Sequence, residues 1–166
     1  MKRVGVYSGT FDPVHAGHVG FARVALELCG LERVVFLPER MPRGKAEVSD
    51  YCQRLRGVQM VVRDFRGLDV LELADEQFSA EQTLPQLQRQ FADAQLVLLL
   101  GSDVVRTFAY RWPGLDKMLA QVELVVGLRQ GDEHREIAAL LADWPAACYQ
   151  IIASPHPELS SSQLRG

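Results

Sequence analysis

Short apolar runs alternate with amphipathic stretches from one end of the chain to the other. Residues 2–8 carry the β-branched and aromatic side chains of a buried strand. Beyond a loop at 9–16, Ala22, Ala25, Leu26 and Cys29 recur at helical spacing, and Gly30 ends the stripe. Val34-Val35-Phe36-Leu37 predicts a second strand stopped by Pro38, and residues 39–49, with Pro42 and Gly44, read as a loop. Tyr51, Leu55, Val58 and Val62 form the next helical stripe, residues 68–73 a third strand, and Leu84, Leu87 and Phe91 another helix. Leu96-Val97-Leu98-Leu99-Leu100 is the most apolar run and reads as a central strand buried on both faces. Gly101-Ser102-Asp103 breaks it. Short helices at 104–110 and 115–119, a strand at 122–126, a helix marked by Ile137, Leu140 and Leu141, and a strand at Tyr149-Gln150-Ile151-Ile152 follow. Residues 160–166 form a Ser-rich turn with a basic residue.

Strands that alternate with helices predict an α/β fold: a Rossmann-like, doubly wound, mostly parallel sheet with helices on both faces. One domain over residues 1–166 is expected. Such sheets bind ligands beyond the carboxyl ends of their strands. The loops to watch are therefore those at 9–18, 38–45, 101–103, 129–131 and 154–165.

Composition narrows the function classes. The formal net charge is -3, so there is no basic footprint for nucleic acid and no polybasic anchor for a membrane. The cysteines, Cys29, Cys52 and Cys148, are odd in number and lack metal-ligand spacing, which predicts free thiols in a reducing compartment. Met1-Lys2-Arg3-Val4 enters a strand at once, with no signal peptide and no apolar run long enough to span a bilayer. A cytoplasmic protein is expected.

The first loop holds the candidate chemistry. His15 and His18 flank Gly17 where the loop becomes a helix, and side chains three apart share a helix face. The first turn also offers unpaired N–H groups at the positive end of the helix dipole. Gly9 lets the backbone approach a ligand, Asp12-Pro13 fixes a turn, and Gly17 keeps the helix entrance free of a side chain. Together these make a place to hold phosphate. Two histidines at a helix start can also serve as caps or bind zinc, but zinc needs further ligands and none is suitably spaced. Neither Gly-x-x-x-x-Gly-Lys-Ser/Thr nor Gly-x-Gly-x-x-Gly is present.

Gly9-Thr10-Phe11-Asp12-Pro13-Val14-His15-Ala16-Gly17-His18 resembles the signature of the nucleotidyltransferase superfamily marked by His-x-Gly-His. Leu159-Ser160-Ser161-Ser162-Gln163-Leu164-Arg165 resembles that superfamily's Ile-Ser-Ser-Thr-x-Ile-Arg motif, which binds triphosphate. Hydroxyls, helix N–H groups and a guanidinium are all anion donors. Within the superfamily the middle of the chain is similar to bacterial nicotinate mononucleotide adenylyltransferase. Gly101-Ser102-Asp103 followed by Trp112 looks like its Gly-x-Asp … Trp segment, and Val125-Val126-Gly127-Leu128-Arg129-Gln130-Gly131 is similar to its strand ending in Arg-Pro-Gly. Met41-Pro42-Arg43-Gly44-Lys45 stands where that family has Pro-Pro-His-Lys, and Arg54-Leu55 where it has an Arg-Leu pair. Two stretches depart from it: Arg43 replaces a histidine, and Phe78-Ser79-Ala80-Glu81-Gln82-Thr83-Leu84 lacks the Tyr-Thr pair of the nicotinate-recognising segment.

The resemblance implies adenylyl transfer from ATP to a phosphate acceptor, foremost nicotinate mononucleotide, with release of pyrophosphate. It implies that His15, His18, Lys45 and Arg165 act on the phosphates. Ser8, Gly9, Thr10, Phe11, Gly17, Gly101, Asp103, Ser160, Ser161 and Ser162 would bind the nucleotide, and Trp112 and Arg129 the acceptor. On its own, an Asp at position 103 is expected to cap the helix that follows it. Magnesium would enter with ATP, bridging phosphates without a protein cage. The expected partners are ATP, the acceptor and, at most, further copies of the chain. Alternatives are pantetheine-phosphate adenylyltransferase, which has Thr-x-Gly-His where this chain has His15, a cytidylyltransferase, and a nucleotide-binding protein without catalysis.

Overall fold

The computed structural model describes residues 1–42 and 47–155. Among them six strands form one sheet: β1 (Lys2–Gly9), β2 (Arg33–Pro38), β3 (Leu68–Val70), β4 (Ala94–Gly101), β5 (Glu123–Leu128) and β6 (Cys148–Ala153). The order across the sheet is β3-β2-β1-β4-β5-β6, and every neighbouring pair runs parallel. The helices are α1 (Ala16–Leu28), α2 (Tyr51–Val62), α3 (Thr83–Gln90), α4 (Ser102–Arg106), α5 (Leu115–Gln121) and α6 (His134–Leu141), with a 3-10 turn at Thr107–Tyr110.

Strand alternation sorts the core into two layers. Val4, Val6, Leu96, Leu98, Leu124 and Val126 face one side with Leu84, Leu87, Met118, Ile137 and Leu141 from the helices after β3. Tyr7, Phe36, Val97, Leu99 and Val125 face the other, against Ala22 and Ala25 of α1 and Val58 and Val62 of α2. The doubly wound architecture read from the sequence is thus present, and the sheet is parallel throughout the described residues. Other ends shift by a residue or two, but the third strand, expected at 68–73, pairs only over Leu68–Val70. Beyond Leu71, whose N–H still bonds Phe36 O, the chain leaves the sheet edge.

The topology fixes where a ligand fits. β1 lies between β2 and β4, so the chain leaves β1 toward one edge of the sheet and β4 toward the other. Loops that diverge this way open a crevice at the carboxyl ends of the two strands.

Candidate active site

The loop after β1 is built around its aromatic residue. Phe11 sits at φ 51, a left-handed conformation costing a non-glycine residue about 1–3 kcal/mol. Burial offsets it: Phe11 is 2% exposed, and burying such a side chain returns about 1.5–3 kcal/mol. Its ring packs on Tyr7 at 5.3 Å, Phe36 at 5.2 Å and His18 at 5.0 Å between centroids. A Cβ on Gly9 would come within 3.1 Å of that ring, so Phe11 itself fills the space beside the glycine. The peptide between Asp12 and Pro13 is cis, and the buried Asp12 carboxylate accepts the Ser49 N–H at 2.8 Å.

The two histidines form a reciprocal cap on α1. His15 Nδ1 accepts the Gly17 N–H at 3.0 Å, and the His15 N–H donates to His18 Nδ1 at 3.1 Å. Their rings stack with centroids 3.7 Å apart. Capping was one reading of these residues, and both side chains do cap α1. An imidazole nitrogen that accepts carries no proton, so in each neutral ring the proton resides on Nε2. Both rings also line a cleft of about 550 Å³.

That cleft gathers most of the predicted residues. Ser8, Gly9, Thr10 and Phe11 come from the end of β1, Gly101 and Asp103 from the end of β4, Arg129 from beyond β5, and Trp112 from the turn before α5. Gly17 lines a smaller recess behind it, with His18, Phe21, Gly127 and Arg129. Lys45, Ser160, Ser161, Ser162 and Arg165 lie outside the described residues.

Asp103 does not cap α4. Gly101 is the N-cap residue, and the Asp103 carboxylate instead accepts from Arg129 Nε at 3.2 Å. A Cβ on Gly101 would collide with Asp103 Oδ1 and lie 3.0 Å from Arg129 Nε, so the glycine makes room for the pair. Beneath it, the wholly buried Ser102 hydroxyl accepts the Arg129 N–H at 2.8 Å and donates to Asp132 Oδ2 at 2.5 Å. Asp132 is also paired with Arg106. The Ser102 hydrogen bond, then Arg106, holds the Asp132 carboxyl below its usual range. Tyr7, at the inner wall, has its phenol pushed far above the usual range by burial, against the opposing pull of Arg129.

Several organising residues escaped the sequence reading. Arg54, on α2, is 3% exposed and donates to four main-chain carbonyls: Ser49 at 2.9 Å, Thr10 at 2.9 Å, Glu39 at 2.8 Å and Arg40 at 3.1 Å. It ties the β1 and β2 loops to α2. Burial lowers its pKa, which Asp12 partly restores. The Arg54-Leu55 likeness marked the position, but not this use of it. Glu39 and Phe78 also line the cleft; the 38–45 loop and the stretch from Phe78 were singled out in the sequence, but not these two side chains.

A parallel α/β sheet whose switch point opens on a helix capped by His-x-Gly-His defines a mononucleotide-handling protein. The chain belongs to the cytidylyltransferase-like family of nucleotidyltransferases, whose model matches residues 6–166. A Neisseria gonorrhoeae protein named as a probable nicotinate-nucleotide adenylyltransferase is 32% identical over 174 residues, covering 99% of this chain and 86% of its own. A Herpetosiphon aurantiacus protein of the same name is 29% identical, covering 99% and 85%. The Plasmodium falciparum nicotinic acid mononucleotide adenylyltransferase, solved in complex with NaAD, superposes with a TM-score of 0.84 over 99% of this chain and 83% of its own, at 17% identity. That last match bears on the fold.

Proposed function

We propose that this chain transfers the adenylyl group of ATP to the phosphate of nicotinate mononucleotide, a step of NAD biosynthesis. One acceptor phosphate oxygen bonds to the α-phosphorus of ATP. The bond to the β-phosphate bridging oxygen breaks in line, and pyrophosphate leaves. No covalent enzyme intermediate is required, because the acceptor is already an anionic nucleophile. The protein's task is to hold two mutually repelling anions in line and to stabilise the charge that develops between them.

The observation that carries this reading is the paired histidine cap. With both Nδ1 atoms accepting backbone N–H groups, the two rings are left to offer Nε2–H donors at the positive end of a 13-residue helix. His15 and His18 then donate to α- and β-phosphate oxygens. Ser8 Oγ, buried on the cleft wall with no hydrogen-bond partner among the described residues, supplies a further donor. Asp103 and Gly101 border the nucleotide, and Trp112 and Arg129 the acceptor. Lys45, Ser160, Ser161, Ser162 and Arg165 complete the triphosphate shell by resemblance. Magnesium, when bound, neutralises phosphate charge. The three free cysteines fit work in the cytoplasm, and residues 1–166 act as one domain.

The test is turnover. The protein is incubated with ATP, magnesium and, in turn, nicotinate mononucleotide, nicotinamide mononucleotide and phosphopantetheine, and pyrophosphate is measured. Release is expected to be fastest with nicotinate mononucleotide. Fastest release with phosphopantetheine would replace the acceptor, and ATP binding without pyrophosphate from any acceptor would replace the reaction.

A further inference from the structure

Residues 39–41, just past β2, are stitched to residues 73–78 by three hydrogen bonds. Arg40 Nε donates to Leu73 O at 2.7 Å, Met41 N to Glu76 O at 2.8 Å, and Phe78 N to Glu39 Oε2 at 2.9 Å. Of the three, the last joins two residues that both line the cleft. Phe78 opens the stretch that stands where the resembling family recognises its nicotinate ring. Thr83, further along, engages its hydroxyl with Asp75 at 2.8 Å and with the Ser79 N–H at 2.9 Å. Phe78 is therefore where this segment meets the cleft.

Glu39 is also anchored from behind. Its N–H donates to Gly9 O at 2.9 Å, and its carbonyl accepts from Arg54 Nη1 at 2.8 Å. Gly9 and Thr10 belong to the phosphate loop, and Arg54 holds Thr10 as well. One residue thus spans from the phosphate loop, through its main chain, to the opposite wall, through its side chain.

We propose that Glu39 is a positioning residue for the acceptor half of the site, a role that rests on the adenylyltransferase reading above. Its carboxylate fixes the Phe78 wall at a set distance from the phosphate loop. A hydrogen bond to an ionised acceptor is about twice as strong as a neutral one, and in-line transfer loses rate steeply when the reactants shift by about an ångström. The bonds to Gly9 and Arg54 run through the Glu39 main chain, so removing the carboxylate releases the Phe78 N–H while those two anchors remain.

The experiment is steady-state kinetics on Glu39→Ala and Glu39→Gln, varying ATP and nicotinate mononucleotide separately, beside thermal melts. Glu39→Ala is expected to raise the acceptor KM about tenfold or more, with the ATP KM within about twofold. Glu39→Gln keeps a side-chain oxygen able to accept the Phe78 N–H, so its acceptor KM is expected within about threefold of the parent. If Glu39→Ala does not fold, Glu39→Met carries the same comparison. The proposal is overturned if Gln is as damaging as Ala, if the ATP KM rises in step with the acceptor KM, or if neither KM moves. A parent protein inert with every acceptor overturns the functional reading and this proposal with it.

Discussion

The proposed phosphate contact of His18 can be tested apart from its cap on α1. His18→Ala deletes an Nε2–H donor from the cleft and also the Nδ1 that accepts the His15 N–H at 3.1 Å. Losing that half of the helix cap costs about 1 kcal/mol of stability. In a chain of 166 residues this lowers Tm by about 2–4 °C. Losing one donor to a developing phosphate charge costs about 10²–10³ in rate, or about 2.7–4 kcal/mol of transition-state stabilisation. His18→Asn divides the two effects. Its amide oxygen takes the place of Nδ1 and keeps the cap, but nothing in it reaches the place of Nε2. Pyrophosphate release at saturating substrates and thermal denaturation are measured for both variants. Both are expected to lose about 10²–10³ in kcat, and only His18→Ala to lose Tm. His18→Asn with kcat within about tenfold of the parent would refute the donor role.

Other perturbations test the surrounding framework. Arg54→Met strands the carbonyls of Thr10, Glu39, Arg40 and Ser49 and is expected to cost about 3–5 kcal/mol in urea denaturation. Arg56→Ala, at an exposed position on the same helix, stays within about 0.5 kcal/mol. Gly127→Ala sets a Cβ 2.9 Å from the Phe21 ring beside the recess lined by His18, and is expected to cost about 1–3 kcal/mol and to weaken ATP binding in calorimetry. Gly57→Ala, with open space around its Cβ inside α2, is expected to stabilise by about 0.5–1 kcal/mol. Asp132 has a carboxyl pKa below its ordinary 3.8, so its contribution to stability is present above about pH 4 and is lost as the pH falls through the lowered value. Asp132→Asn is expected to flatten the acid limb of urea midpoints measured from pH 5 to pH 2.

Periodicity alone carried the fold, because each layer of this sheet is covered and its strands read as continuous apolar runs. Leu96 to Leu100 announced a central strand for that reason, and β4 does pair with both β1 and β5. Residues 68–73 misled at their far end because β3 is an edge strand, where alternation continues after pairing stops. The cleft-lining loop between β1 and α1 was legible because its residues are adjacent in sequence. The contacts that support it were not, because they join residues far apart. Arg54 meets Thr10 from 44 positions away, and Ser102 meets Asp132 from 30. Asp103 was read as a cap from its local place, yet Arg129, 26 positions on, claims its carboxylate.

The shape of the cleft follows from what leans over three strand ends. Glycines stand at the carboxyl end of β1 (Gly9), of β4 (Gly101) and near that of β5 (Gly127), and Gly101 and Gly127 pair directly across the sheet. At each, a Cβ would strike a side chain of the site: the Phe11 ring, the Asp103–Arg129 pair and the Phe21 ring. The glycines therefore let those groups pack flat against the sheet edge, and this leaves a hollow above it. Phe11 in turn braces His18, so the geometry of the histidine pair depends on a residue with no hydrogen-bonding side chain. In the proposed reaction, phosphate would meet helix N–H groups and two imidazoles at the start of α1, in a mildly acidic chain. Its described cleft cation, Arg129, is already paired with Asp103.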